Sequence, residues 1–207
     1  MKERLKKGGD RYHHGNLRDA LVRAAEQQIA RSGDIALPLR DVARLVGVSH
    51  AAAYRHFDSK QALLAEVAAR GFEALTVALT AGAARGRGPA ERLVEAAVGY
   101  VSFALEQPGA YRVMFHATLK PFTRFPRLAE ASLAALEVLR ALVREGLATK
   151  AFSGEADAAV MATWALVHGQ ALLVLDGQLS GPFGIDAAQG ALAARTSMKR
   201  LLEGLRR

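Results

Sequence analysis

Apolar residues recur at helical spacing along nearly the whole chain. Leu39, Val42, Ala43 and Val46 follow the i, i+3, i+4, i+7 pattern that lines one side of a helix, while Arg40, Asp41 and Arg44 fall on the other side. Gly47 then offers the left-handed conformation that ends a helix. Ser49 can cap a second helix by accepting a hydrogen bond from a first-turn amide. That second helix is expected over 50–56, with Phe57 anchoring it in the core. Upstream, Leu17, Leu21, Ala24, Ala25, Gln28 and Ile29 trace a helical face behind Asn16, a good N-cap, and Gly33 ends it. Downstream, Asp58 and Ser59 can cap a long helix whose Leu63, Leu64, Val67, Ala68, Phe72 and Leu75 share one side, up to about residue 79.

Gly82, Gly86, Gly88 and Pro89 are the clearest punctuation in the chain. Beyond them the pattern stays helical, with helices expected over 90–106, 109–119, 127–150, 154–179 and 185–205. Pro108, Pro121, Pro126, Gly181 and Pro182 separate these helices, because proline cannot continue a helix interior. No alternation of strand type competes. The expected protein is all-α, in four parts: a basic arm over 1–11, a three-helix head over 12–58, a linking helix over 59–81 and a larger helical region over 82–207.

Composition narrows the function. With 207 residues, 51% of them hydrophobic, the chain can bury a sizeable core. It has no cysteine, which removes disulfides, thiolate catalysis and cysteine-based zinc sites and fits a reducing cytosol. The net charge of +8 points to a polyanionic partner, and the excess is concentrated: residues 1–60 hold 12 Lys/Arg against 7 Asp/Glu. The charged start of the chain runs into polar residues and not into an apolar signal region, so a cytoplasmic location is expected. The most membrane-like stretch, 158–175, contains His168 and Gln170 and stops at Asp176. Such groups are costly in a bilayer, so burial in a helical bundle is the expectation and no membrane partner is implied.

Two helices joined by a short glycine-containing turn form a helix-turn-helix unit, whose second helix enters the major groove of DNA. His50, Ala51 and Ala52 are small or polar and suit close approach to base edges; Tyr54, Arg55 and His56 can donate to phosphates. The alternative is an ordinary buried helix pair with Tyr54 and Phe57 as packing residues. The arm, with Lys2, Arg4, Lys6, Lys7 and Arg11, either reaches phosphates or the minor groove or is a solvated tail. His13 and His14 invite a metal reading, but adjacent positions point apart on a helix and no third ligand is close in sequence. No metal or cofactor is implied.

The segment GVSHAAAYRHFDSKQALL, residues 47–64, resembles the signature of the TetR/AcrR family of bacterial transcriptional regulators. YHHGNLRDALVRAAEQQIARSG, residues 12–33, is similar to the first helix of many members. Trp164, His168 and Gly169 form a Trp-x-x-x-His-Gly core that resembles the WHG type of C-terminal domain found in one branch. The resemblance implies a DNA-binding regulator, with Lys60 in its family role beside the DNA backbone. One departure is visible: Leu37-Pro38-Leu39 stands where many members place a phosphate-binding hydroxyl.

For the C-terminal region the resemblance implies a small-molecule effector and a homodimer. Aromatic and soft residues there, with a few polar groups among them, describe either an effector pocket or a normal core; Phe103, Met114, Phe115, Trp164 and His168 are the expected lining. Val160, Ala165, Gly169, Leu192 and Met198 lie on the two last long helices, which either pack internally or pair with their copies across a twofold axis. The expected function is therefore a ligand-responsive regulator, most simply a repressor, binding pseudo-palindromic double-stranded operator DNA. The competing classes are a helical interaction module and a small-molecule-binding protein or enzyme without DNA activity. Against an enzyme, Glu137, His116, His168 and Asp176 form no recognisable catalytic motif.

Overall fold

The computed structural model describes residues 14–204. The expected basic arm over 1–11, the side chains of His13, His14 and Asn16, and the expected helix end at residue 205 lie outside what it describes. Among the described residues there is no strand; the chain forms helices throughout. In order they are α1 (His14–Ser32), α2 (Leu39–Val46), α3 (His50–Tyr54), α4 (Lys60–Ala83), α5 (Pro89–Glu106), α6 (Pro108–Met114), α7 (Pro126–Ala148), α8 (Ala156–Leu175), α9 (Ser180–Phe183) and α10 (Gly190–Gly204). Two single 3₁₀ turns, Ala117–Leu119 and Phe122–Arg124, occupy the connection between α6 and α7.

Several boundaries differ from the sequence pattern for local reasons. The helix expected over 109–119 stops at Met114, because His116 adopts an extended backbone and its Nδ1 accepts from the Thr118 amide, which starts a separate turn. The helix expected over 154–179 ends at Leu175. Gly177 and Gly184, both in the left-handed region, fold the following residues into the one-turn α9 before α10 begins. The second helix of the head is shorter than 50–56: it closes at Tyr54, and the amides of His56 and Phe57 both bond back to the Ala53 carbonyl.

Helix α4 is the spine. Its N-terminal half carries Leu63, Leu64 and Val67 into the core of the head with Leu21, Ile29, Leu39, Val42 and Phe57. Its C-terminal half packs against α5, α6 and α7. The crossing with α5 is close because glycine faces backbone from each helix. A Cβ on Gly99 would sit 2.5 Å from the Ala78 carbonyl oxygen, and one on Gly82 would sit 2.5 Å from that of Glu95. Helix α8 is long and apolar enough to cross a membrane by length and composition, yet it packs against α5, α7 and α10.

Candidate nucleic-acid interface and ligand cavity

The turn of the head is built as its sequence dictates. Gly47 has φ 77° and ψ 28° and closes α2, while the Val48 amide reaches the Ala43 carbonyl at 3.0 Å. Ser49 Oγ accepts from the Ala52 amide at 3.1 Å and starts α3. This geometry presents His50, Ala51, Tyr54 and Arg55 to solvent and leaves His56 and Lys60 half-buried. The His50 and Tyr54 rings lie 4.5 Å apart on that outer face. Ala52 is a correction: it is only 9% exposed and turns inward beside Ala53 and Phe57, since on a helix this short two of three alanines must face the core. No side chain caps α2 at Pro38, so the departure seen at 37–39 stands as a missing hydroxyl. Arg40 and Arg44, not singled out from the sequence, stand exposed on α2 with only Asp41 nearby.

Below the head, α4, α5, α7 and α8 enclose a cavity of about 230 Å³. Phe72, Leu75 and Leu79 of α4 form one wall, Leu93 and Tyr100 of α5 another. Leu136, Leu139 and Leu142 of α7 face Thr163, Trp164 and Val167 of α8. The connection between α6 and α7 adds Phe115, Lys120 and Phe122. Thr163 is buried, and its hydroxyl has no hydrogen-bond partner among the described residues.

Of the five residues expected to line a pocket, Phe115 and Trp164 do so. Phe103, Met114 and His168 do not. Phe103 is 2% exposed and packs edge-on to the Tyr111 ring, while the Met114 thioether covers Gly71 in the α4–α6 contact. His168 is held just behind the wall. Its Nδ1 lies 2.8 Å from the Tyr111 hydroxyl and 3.1 Å from that of Tyr100, and its ring packs 4.3 Å from Phe115. Burial lowers the His168 pKa and raises both phenols, Tyr100 to about 12, so all three groups stay neutral near pH 7. Sequence reasoning passed over Tyr100 and Lys120; the available signal was a tyrosine inside the apolar run 96–101 of α5 and a cation within an aromatic loop.

The head and the cavity share an ionic hub. Glu66, on α4 and 6% exposed, accepts from Arg18 of α1 at 2.8 Å and from Arg70 of its own helix at 2.9 Å, and it also receives Arg127 of α7. Arg70 reaches on to Asp19 and Arg127 to Glu73. The Arg18 guanidinium also lies 4.9 Å from the Phe57 ring centroid. Hydrogen bonding from Arg18, with Arg70 and the charge of Arg127 adding to it, lowers the Glu66 carboxyl to about 2 against the opposing effect of burial.

The far side of α8 and α10 is an unpartnered apolar face. Ala165 and Leu192 are exposed on it and Gly169 is partly so, together with Met161, Leu173 and Phe183. A cleft beside it is lined by Ala165, Gly169, Gln170 and Leu192. Two expected interface residues are corrected. Val160 and Met198 belong to the core of the protomer, Met198 being fully buried, because the sides of α8 and α10 that carry them face the protomer interior.

Residues 21–67 match the family described as bacterial regulatory proteins, tetR family, and residues 93–196 match the tetracyclin repressor-like C-terminal domain. The HTH-type transcriptional regulator BetI of Agrobacterium fabrum is 39% identical over 90 residues, which span 44% of this chain and 43% of that protein. A protein of unknown function from Rhodococcus sp. RHA1 superposes with a TM-score of 0.77 at 33% identity, over 94% of this chain and 99% of that one. The TetR-family regulator PfmR of Thermus thermophilus shares the fold, with a TM-score of 0.70 at 22% identity over 91% and 96% of the two chains.

Proposed function

Because the chain belongs to the TetR family of bacterial transcriptional regulators, we propose that it is a cytoplasmic, homodimeric repressor that leaves its operator when a small, largely apolar molecule fills the cavity. One observation carries this reading. Helix α4 begins at Lys60, shortly after α3 ends at Tyr54, and the same helix supplies Phe72, Leu75 and Leu79 to the cavity wall. A ligand that reseats those side chains therefore tilts the element on which the head is mounted. It shifts the equilibrium only by its differential affinity for the two tilts, and coupling of this kind is typically about 1–3 kcal/mol.

On DNA, His50 and Ala51 would face base edges while Tyr54, Arg55, His56 and Lys60 position the backbone, with Arg40 and Arg44 adding cations from α2. A dimer would read a pseudo-palindrome whose half-sites lie about one turn, roughly 34–36 Å, or a multiple apart. The apolar face around Ala165, Gly169 and Leu192 supports a twofold pairing. A gel shift with the duplex upstream of the protein's own gene tests the reading. At fixed salt, Tyr54→Ala combined with Lys60→Ala is expected to weaken binding at least tenfold; unchanged affinity refutes the contact assignment. Salt must be held constant because counterion release makes affinity depend steeply on it.

A further inference from the structure

We propose that the cavity is built for a small aliphatic monocarboxylate, with its chain in the leucine-lined barrel and its carboxylate on the Lys120 ammonium. This inference rests on the reading of the cavity as the effector site. Among the described residues, Lys120 is the one charged side chain in the wall, and no acidic residue lines it. Its Nζ sits 3.7 Å from the Phe122 ring centroid, and both residues line the cavity. The ring thus fixes the cation at the cavity wall. No carboxylate of the described residues pairs with it, whereas fourteen ion pairs form elsewhere among them.

The remaining polar atoms cannot serve an anion equally well. The Tyr100 hydroxyl is engaged with Tyr111 and His168, and Ser132 Oγ donates to the Ala129 carbonyl at 2.9 Å. Thr163 offers a single neutral hydroxyl and Trp164 a single neutral indole N–H. Lys120 is solvent-exposed while lining the cavity, as are Leu133 and Trp164, which places it at the rim. A carboxylate placed there keeps part of its hydration while its chain leaves water, which avoids the heavy cost of burying an ion. One cation matches one negative charge, and a ligand amine at the same place would meet a like charge.

Size narrows the class further. A cavity of about 150 Å³ accepts benzene, so about 230 Å³ holds a molecule of roughly ten non-hydrogen atoms by the same measure. Octanoate is of that size.

The test is calorimetric titration of the full-length protein with octanoate, 1-octanol and octylamine at neutral pH, alongside their effect on the DNA complex. Octanoate is expected to bind about tenfold more tightly than octanol, as a charge-assisted hydrogen bond near the surface allows, with octylamine the weakest. Lys120→Met is expected to bring octanoate down to the level of octanol. Equal binding of octanoate and octanol, or a preference for octanoate that survives Lys120→Met, overturns the proposal. If none of the three binds but indole still releases DNA, only the carboxylate assignment falls. If indole fails as well, the cavity is no effector site.

Discussion

Replacing Glu66 by Gln would leave the guanidiniums of Arg18, Arg70 and Arg127 converging on a neutral amide. The size of the effect follows from the carboxyl's acidity, which moves from 4.5 to about 2 in the folded protein. At about 1.4 kcal/mol per pH unit, that drop represents ~3 kcal/mol of stability at pH 7. Breaking a buried ion pair by removing one partner costs a similar ~3–5 kcal/mol. The pH dependence follows from the sign of the shift. A depressed carboxyl contributes fully above its unfolded value of 4.5, and the contribution is lost as pH falls from there towards about 2. Urea unfolding of wild type and Glu66→Gln should therefore differ by ~3 kcal/mol at pH 7. The gap should narrow to ~2 kcal/mol at pH 3.5, since it shrinks by about 1.4 kcal/mol for each pH unit below 4.5. A gap that is absent at pH 7, or that stays constant between pH 5 and 3.5, would refute the hub.

Gly99→Ala places a methyl group against the Ala78 carbonyl and should cost about 1–3 kcal/mol, read as a lower thermal midpoint. Thr163→Val removes a buried hydroxyl without a partner and should raise stability by about 1 kcal/mol in denaturant unfolding; a loss of stability would show that the hydroxyl is satisfied. Gly169 has no heavy atom within 4 Å of a built Cβ, so Gly169→Arg should leave the protomer folded, with native circular dichroism. The same substitution puts two charges into the proposed twofold interface and should give a monomer by light scattering; a persistent dimer would place the interface elsewhere.

The head was readable because its signals are local. Gly47 and Ser49 stand at the positions where a left-handed turn and a cap are needed, and the apolar spacing of α2 and α4 assigns their inner faces. Ala52 was misplaced because an alanine gives no polarity cue about which way it points. The cavity was harder to read. Its walls come from four helices far apart in sequence, so no periodicity connects Tyr100 with Lys120 or Leu136. Phe103 and Tyr100 are three residues apart on α5 and both pack against Tyr111, and only tertiary packing decides that Tyr100 reaches the lumen while Phe103 does not. Val160 and Ala165 could not be sorted between protomer core and outer face because α8 is apolar on every side, and a helix without a polar stripe carries no orientation signal. The sequence places His168 in the expected pocket lining, but its partners, two phenols on other helices, are beyond the reach of local pattern.

The residues that line the cavity and those of the ionic hub are different sets. Glu66, Arg18 and Arg127 touch no part of the lumen, yet Arg127 lies in the first turn of α7, just after the aromatic loop that helps to close it. Under the proposed function, wall leucines of α7 such as Leu136 and Leu139 could be exchanged to admit a different molecule while α4 and the Glu66 hub stay in place. On that reading the protein is a scaffold for retargeted biosensors, and a lineage could change its inducer by drift in the wall without first losing control of its promoter.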